Sequence, residues 1–416
     1  MKTKSCSFRI AIISTHPVQY NAPLFKKLAQ QPNLQIKVFY TWSQRQHNFL
    51  DQTFGKEIKW DIPLLEGYDY EFIPNTSKKP GSHHNKGIIN PGLIKKNEEW
   101  QPSHILVYGW NFHSHISAMR YFKGKIPVLF RGDSTLLDHK YKTPKNIFTS
   151  SYSRFFNSSI PQFLKYKLRR FYLKKIYKNT DLALYTGINN KQYFLEHGLK
   201  ENQLVFAPHA IENERFFDNS RKEYEKKAFQ WRKELGYKED DILVVFAGKF
   251  EKKKDPELLT KAVQLFNASS HQHIHLLLTG NGPLEDKLKH IVQNDPYIKF
   301  LPVQNQQQMP LVYRVGQVFC LPSCGPGETW GLAVNEAMAC ERPVIVSDRV
   351  GCAVDLVEHE KNGWIFQSGN KKELTDILMR ISEKPEKLKE MGLYGKEKIK
   401  DWNYDNTIEA IKNSLI

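Results

Sequence analysis

The stretch "QVFCLPSCGPGETWGLAVNEAMAC", residues 317–340, strings three local signals together. It opens on an apolar run, turns through Pro322, Gly325, Pro326 and Gly327, and continues with residues spaced for a helix. A short apolar run bounded by turn formers predicts a strand covered on both faces, and so one strand of a parallel sheet. The turn then lies at the strand's carboxyl end. The helix expected from about Thr329 would point its free amides and positive dipole end at that turn. Two carboxylates bracket this helix start: Glu328 on the turn and Glu336 about two turns further, close to the same face. A phosphate at the helix end, with hydroxyl-bearing groups on either side for the two carboxylates, describes a nucleotide sugar. A solvated helix with an acid at its capping turn has the same spacing, and spacing alone leaves both readings open.

Runs of the same kind recur on either side. Upstream lie "RIAIIS" (9–14), "LQIKVFY" (34–40), "HILVYG" (104–109), "IPVLFRG" (126–132), "LALYTG" (182–187) and "QLVFAPHA" (203–210), with helical stretches between them. The polar "IENERFFDNSRKEYEKKA" (211–228) reads as a linker leading into a helix. A second set follows: "ILVVFAG" (242–248), "IHLLLTG" (274–280), "IKFLPV" (298–303), "QVFCLPS" (317–323), "PVIVSD" (343–348) and "GWIFQ" (363–367). Alternating strands and helices predict an α/β chain of two doubly wound Rossmann-like domains, with ligands in the cleft at the strands' carboxyl ends. The expected domains are residues 1–212 and 213–396, with a C-terminal helix in 397–416 returning to the first.

The bulk numbers agree with two domains. A chain of 416 residues is too long for one compact core, and 40% hydrophobic residues exclude a disordered chain. A net charge of +17 permits nucleic acid, anionic lipid or a phosphorylated ligand as partner. The five cysteines show no zinc spacing and read as buried thiols of a reducing compartment. The apolar run at 10–13 is too short for a signal peptide, and none reaches the roughly 18 residues of a spanning helix. A soluble or peripheral protein is expected.

Two further stretches carry chemistry. In "FAGKFEKKKDPELL" (246–259) a strand ends at Gly248, and Lys249 and Lys254 follow before a helix start at Asp255-Pro256. Cations there suit a diphosphate, although a solvated lysine run looks the same. In "LLTGNGPLEDKL" (277–288) a G-x-G follows a strand without the full dinucleotide fingerprint.

Taken together, residues 205–400 resemble the nucleotide-sugar-binding domain of the retaining family-4 glycosyltransferases, which have the GT-B architecture. "GETWGLAVNEA" is similar to their E-x7-E element, and "GKFEKKK" to their G-R-L-x-x-x-K element with Lys249 at the usual arginine. "TGNGPLEDKL" resembles their G-x-G-P segment, and "GWIF" after Asn362 their N-G turn. The resemblance implies that Glu336 holds the ribose hydroxyls and that Glu328 faces the transferred sugar. It implies that Lys249 and Lys254 neutralise the diphosphate. Gly248, Gly327, Thr329 and the backbone amides near Trp330, Gly331 and Leu332 would complete the donor site. Lysine at 249 is a point charge where arginine is a bidentate fork, which predicts looser diphosphate binding. The family's leaving phosphate takes the acceptor's proton during front-face attack, so no cofactor is implied; the nucleotide sugar is a substrate. No D-x-D element is apparent, and two lysines with a helix N-terminus can supply a metal's electrostatic role.

The first half matches less closely. Its first loop, "STHPVQYNAPLF", lacks the family's glycines; His16, Gln19 and Tyr20 would line the acceptor side, as in some bacterial polysaccharide glycosyltransferases. "LFRGDS" (129–134) stands where many members have His-Asp, which puts Asp133 at the aspartate and makes Arg131 an acceptor-side contact. In "YGWNFHSH" (108–115), His113 or His115 is a cleft residue or an ordinary structural histidine.

Residues 140–178 hold eleven Lys/Arg and no Asp or Glu, interleaved with aromatics such as Phe155, Phe156, Phe163, Phe171 and Tyr172. "FLKYKLRRFYLKKIY" reads as a helix on an anionic bilayer, with Lys165, Lys167, Arg169 and Arg170 meeting the headgroups. No nucleic-acid-binding signature accompanies it, so no nucleic-acid partner is expected. The leading expectation is a cytoplasmic glycosyltransferase, peripheral at the inner face of the membrane. It would carry a sugar from a nucleoside diphosphate to a glycan or lipid-linked hydroxyl, in bacterial cell-surface polysaccharide synthesis. The rivals are another GT-B enzyme, such as an epimerase or phosphorylase, and a non-enzymatic membrane- or RNA-binding module.

Overall fold

The computed structural model of the protein describes residues 8–42, 49–51, 56–58, 61–82, 84–137 and 162–416. Phe155, Phe156 and the rest of the basic stretch at 140–161 lie outside the described residues. The chain divides into two compact units: Met1–Asn48 with Pro63–Pro208 and Tyr404–Ile416, and Phe49–Ile62 with His209–Asn403. The boundaries expected at 212 and 396 therefore fall at 208 and 403, and Phe49–Ile62 belongs to the second unit instead of the first.

Polar anchors account for these departures. The Asp61 carboxylate accepts from the backbone N–H of Gln306 (3.1 Å) and Gln307 (3.0 Å), which ties its segment into the second unit. The stretch expected as a linker at 211–228 is already part of that unit. Asn213 opens a short helix there and donates through Nδ2 to the carbonyls of Ile399 (3.1 Å) and Trp402 (3.2 Å).

The strands, in chain order, are β1 (Phe8–Ser14), β2 (Leu34–Tyr40), β3 (Phe49–Asp51), β4 (Lys56–Ile58), β5 (Asp69–Phe72), β6 (His104–Tyr108), β7 (Val128–Arg131), β8 (Leu182–Tyr185) and β9 (Leu204–Phe206). They continue with β10 (Ile242–Ala247), β11 (Ile274–Thr279), β12 (Ile298–Leu301), β13 (Val318–Leu321), β14 (Val344–Ser347) and β15 (Gly363–Phe366). The first unit's sheet runs β5-β2-β1-β6-β7-β8-β9 and the second's β12-β11-β10-β13-β14-β15. Pairing is parallel throughout both; only the β3–β4 hairpin is antiparallel among the described strands. The hairpin and β5 have no apolar run in the sequence, and neither was expected.

Burial explains the runs. Ile10, Ala11, Ile12 and Ile13 of β1 are all fully buried, as are Leu243 to Phe246 of β10, because helices cover both faces. The helices are α1 (Ala22–Ala29), α2 (Leu93–Trp100), α3 (His113–Phe122), α4 (Gln162–Tyr177), α5 (Ile188–Glu196), α6 (Asn213–Phe216), α7 (Tyr224–Glu234), α8 (Pro256–Ser269), α9 (Glu285–Val292), α10 (Met309–Val315), α11 (Leu332–Ala339), α12 (Ala353–Leu356), α13 (Lys371–Glu383), α14 (Lys387–Ile399) and α15 (Tyr404–Asn413). Their apolar residues recur at helical spacing: Leu374, Ile377, Leu378 and Ile381 of α13 face the core, and Asn370 caps the helix by accepting from Glu373 N–H at 3.2 Å. The last helix, α15, belongs to the first unit. There Thr407 donates to Pro208 O at 3.0 Å, and Tyr404 donates to Tyr20 O at 2.9 Å.

Each sheet reverses its winding at one point. In the first unit strand order turns between β1 and β6, and in the second between β10 and β13. A crevice opens at the carboxyl ends of the strands at such a switch point, and ligands of doubly wound sheets bind there.

Candidate functional site

The switch point of the second unit brings two loops side by side. One follows β10 and carries Gly248, Lys249 and Lys254; the other follows β13 and carries residues 322–331. Strand adjacency makes them neighbours, since Val244 pairs with Val318 and Val245 with Phe319. The loops are also tied directly. Cys324 N–H donates to Lys253 O at 2.8 Å, and its thiol donates to Lys252 O at 3.1 Å.

Across this junction the Lys254 ammonium meets the Glu328 carboxylate, with Nζ 2.5 Å from Oε2. Ser323 Oγ donates to the same oxygen at 3.0 Å. The Lys254 side chain is 17% exposed and that of Glu328 7%. The ammonium and the hydroxyl therefore meet on the same oxygen, Oε2. Gly327, just before it, is exposed and left-handed at φ 92°, and a Cβ there would meet nothing within 4 Å.

The helix begins later than its spacing predicts. Thr329 and Trp330 remain in the loop, Gly331 is the cap at φ 98°, and α11 starts at Leu332. Glu336 is thus one turn into the helix instead of two. It is 3% exposed, and its Oε2 accepts from Tyr313 Oη at 2.6 Å. Val334 N–H donates to Gly331 O at 2.8 Å, and the amides ahead of it, at Leu332 and Ala333, open the helix at the end whose dipole favours an anion. Trp330 is buried, and its indole N–H donates to Asn335 Oδ1 at 2.9 Å. Asn335 in turn donates to His209 O at 3.0 Å. The ring of Trp330 thus locks the loop onto α11 while its backbone passes the site.

Two loops from elsewhere in the sheet support this pair, and both need glycine for close approach. A Cβ on Gly280 would stand 2.0 Å from Gly248 O, so the G-x-G segment braces the lysine loop from behind. Its bonds are Gly248 N–H to Thr279 O (3.0 Å) and Phe250 N–H to Asn281 O (2.7 Å). A Cβ on Gly351 would stand 1.7 Å from Thr329 O; Gly351 N–H donates to Glu328 O at 3.1 Å, and Cys352 N–H to Trp330 O at 2.9 Å. Ser323, Tyr313 and Gly351 carry no marker in the sequence, because each acts through a neighbour that only the fold supplies.

The first unit's candidates lie on loops after β1, β6 and β7. His16 follows β1; its Nδ1 is 3.0 Å from Thr15 Oγ1, and its ring meets Trp42 edge-on at 6.1 Å. Gln19 and Tyr20 stand in the turn before α1, partly exposed. His113 opens α3 and is exposed. Asp133 is partly exposed beyond β7.

Arg131, expected as an acceptor-side contact, is buried instead. Its Nη1 and Nη2 donate to the carbonyls of Ala207 (3.0 Å) and Pro208 (2.9 Å). Burial lowers its pKa, opposed by Tyr108 and Asp133. The guanidinium clamps the segment that leaves the first unit. His115 is likewise structural: fully buried, with Nδ1 donating to Gly109 O at 3.0 Å and Nε2 3.0 Å from Thr41 Oγ1. Burial pulls its pKa down to about 4, so the ring is neutral. Among the described residues, no three or more His, Cys, Asp or Glu gather as a metal site.

Residues 227–398 match the family model described as glycosyl transferases group 1. The match covers less than half of the chain, and the matched region spans both loops of the candidate site. The chain is 27% identical over 194 residues to the D-inositol 3-phosphate glycosyltransferase of Gordonia bronchialis, covering 44% of this chain and 42% of that one. It therefore spans less than half the length of that relative. It is 24% identical to an uncharacterized glycosyltransferase of Methanocaldococcus jannaschii, over 68% of this chain and 80% of the relative. Two solved structures share the whole fold. Anabaena HepE in complex with UDP has a TM-score of 0.69 at 15% identity, covering 98% of this chain and 99% of that one. The sucrose-phosphate synthase of Thermosynechococcus elongatus has 0.68 at 17%, covering 98% of each. The chain has the GT-B fold these proteins share.

Proposed function

We propose that the protein transfers a sugar, with retention of anomeric configuration, from a nucleoside diphosphate to a hydroxyl on a glycan or lipid-linked acceptor. The observation that carries this reading is the Lys254–Glu328 contact at the switch point, one loop away from the buried Glu336. The chemistry follows from these groups. Lys249 and Lys254, with the opening amides of α11, offer positive charge to a diphosphate. That charge is most useful as the bond to the sugar breaks and negative charge collects on the leaving phosphate. Glu336 accepts from ribose hydroxyls, and Glu328 from a hydroxyl of the transferred sugar. The acceptor oxygen attacks from the side the phosphate is leaving, and its proton passes to a phosphate oxygen.

Supporting this, Anabaena HepE has been solved with UDP-glucose, and the relatives carry glycosyltransferase names. Lysine charge and a helix end serve the leaving group, so transfer should survive chelation. No described helix is long and apolar enough to cross a membrane. We place the reaction at the cytoplasmic face of a bilayer, on a membrane-borne acceptor of a cell-surface polysaccharide, with the protein bound peripherally.

The test is a thermal-shift screen against UDP-, GDP-, ADP- and dTDP-sugars, followed by transfer assays with lipid-linked acceptors with and without chelator. A ligand at about 100 Kd adds roughly 2.7 kcal/mol of stability. No shift with any nucleotide sugar would overturn the donor reading, and loss of transfer on chelation the metal-free part of it.

A further inference from the structure

The helix α4 has two dissimilar faces. Its inner face is core: Leu173, Ile176 and Tyr177 are buried in the cluster that holds Phe130 and Phe194. Tyr166 Oη donates to Glu196 Oε1 at 3.1 Å, and Arg170 Nε lies 3.0 Å from the same oxygen. The Nε of Arg169 is buried as well. Both arginines expected to meet a bilayer are therefore only partly exposed, with Arg170 turned toward Glu196.

The outer face differs. Leu164 (45%), Leu168 (38%), Phe171 (59%) and Tyr172 (43%) are exposed, and Lys167 and Lys175 are exposed among them. At about 100° per residue these six fall within an arc of roughly 140°. The apolar four form a stripe spaced i, i+4, i+7, i+8, and the arc holds no acid. Lys175 Nζ lies 4.5 Å from the centroid of the Phe171 ring. A soluble helix rarely shows water four large apolar side chains in one stripe.

We infer that this face of α4 is the surface by which the protein lies on an anionic bilayer, with Leu164, Leu168, Phe171 and Tyr172 entering the headgroup–acyl boundary. Two features select that occupant. A second copy of the same face would set lysine against lysine, whereas an anionic surface complements both. Nucleic acid would give aromatic rings a stacking partner but leave Leu164 and Leu168 without one, while acyl chains serve all four. The long lysine stems lie along the apolar stripe with their charges at the phosphate level. This deepens the membrane-borne acceptor in the proposed function and rests on that clause alone.

The experiment is co-sedimentation of the full chain with phosphatidylcholine vesicles, with and without phosphatidylglycerol, at low and high salt. Two variants accompany it, Lys167→Gln/Lys175→Gln and Leu168→Ser/Phe171→Ser; all four positions are exposed, and melting curves check that both variants fold. The wild type is expected to pellet with the anionic vesicles and to be released by salt. The charge variant should partition more weakly by up to roughly thirtyfold, at about 1 kcal/mol per cation. The apolar variant should lose at least about tenfold. The inference fails if wild type ignores anionic vesicles at low salt, or binds neutral ones equally. It fails also if both variants partition like wild type, or if the apolar variant changes only the protein's self-association. Nucleotide binding in the same preparations is read separately. Its loss would count against the donor site and leave the surface standing.

Discussion

Replacing Lys254 by methionine keeps the aliphatic stem and removes the charge facing Glu328. At an effective dielectric of about 20 the pair's gross attraction is roughly 5 kcal/mol, most of it offset by desolvation. Breaking a buried pair by deleting one partner costs more than the pair's net worth, about 3–5 kcal/mol, because the survivor remains buried. Here the survivor is a carboxylate 7% exposed with the Ser323 hydroxyl at 3.0 Å, and the lysine end is 17% exposed. Water entering from that end should bring the cost down to about 2–3 kcal/mol. For a unit of this size each kcal/mol moves the midpoint by roughly 2–4 °C. Lys254→Met should therefore melt about 4–12 °C lower. Glu328→Gln should cost less, near 1–2 kcal/mol, since its amide still accepts from Ser323 and the ammonium can turn to water. The double variant, which buries no charge, should return to within about 1 kcal/mol of wild type. Function should not follow stability. Calorimetric titration with the nucleoside diphosphate that stabilises wild type should show weak binding in Lys254→Met and in the double variant alike. If the single variants melt like wild type, the contact carries no load. If the double variant binds the diphosphate as wild type does, Lys254 does not serve the donor.

Glu336→Gln keeps an acceptor for Tyr313 but loses the charge, and should weaken nucleoside diphosphate binding by about 1.5–3 kcal/mol on titration. Tyr313→Phe should weaken it less, about 1 kcal/mol, by loosening the carboxylate's orientation. Gly351→Ala places a Cβ 1.7 Å from Thr329 O, so the glutamate loop must move; about 1–3 kcal/mol of stability and most donor affinity should be lost together, read by melting with and without nucleotide. His115 gives a pH dependence. Its folded pKa of about 4 lies below the unfolded value near 6.5, so its contribution is fully present above pH 6.5 and is lost as pH falls towards 4. That loss amounts to about 3 kcal/mol, and His115→Gln should flatten the acid limb of urea midpoints measured between pH 6.5 and 4.

How much of this was legible in the chain depends on the range of the forces involved. The runs at 242–248, 274–280 and 317–323 betray buried parallel strands by themselves, because a strand covered on both faces must be apolar at every position. The turn after Leu321 and the two glutamates were equally local, but their spacing fitted a solvated helix as well as a nucleotide sugar, and only the resemblance to a known family favoured the second. Helix phase was less so. Gly331 delays the start of α11, and the choice of cap depends on packing against Val350 and Cys352, far along the chain. The tie between Lys254 and Glu328 spans residues that no periodicity connects. It exists because the strand order sets β10 beside β13 and makes their two loops neighbours. The same holds for Tyr313 beneath Glu336 and for Gly351 under Thr329. Arg131 and Arg170 looked from the sequence like ligand- or lipid-facing cations, and the fold turned them onto carbonyls and Glu196 instead. A residue's hydrophobicity is a property of the chain, and it specifies strands, helices and their layering. The partner of a charged side chain is a property of which loops the sheet brings together, and that was decided only in three dimensions.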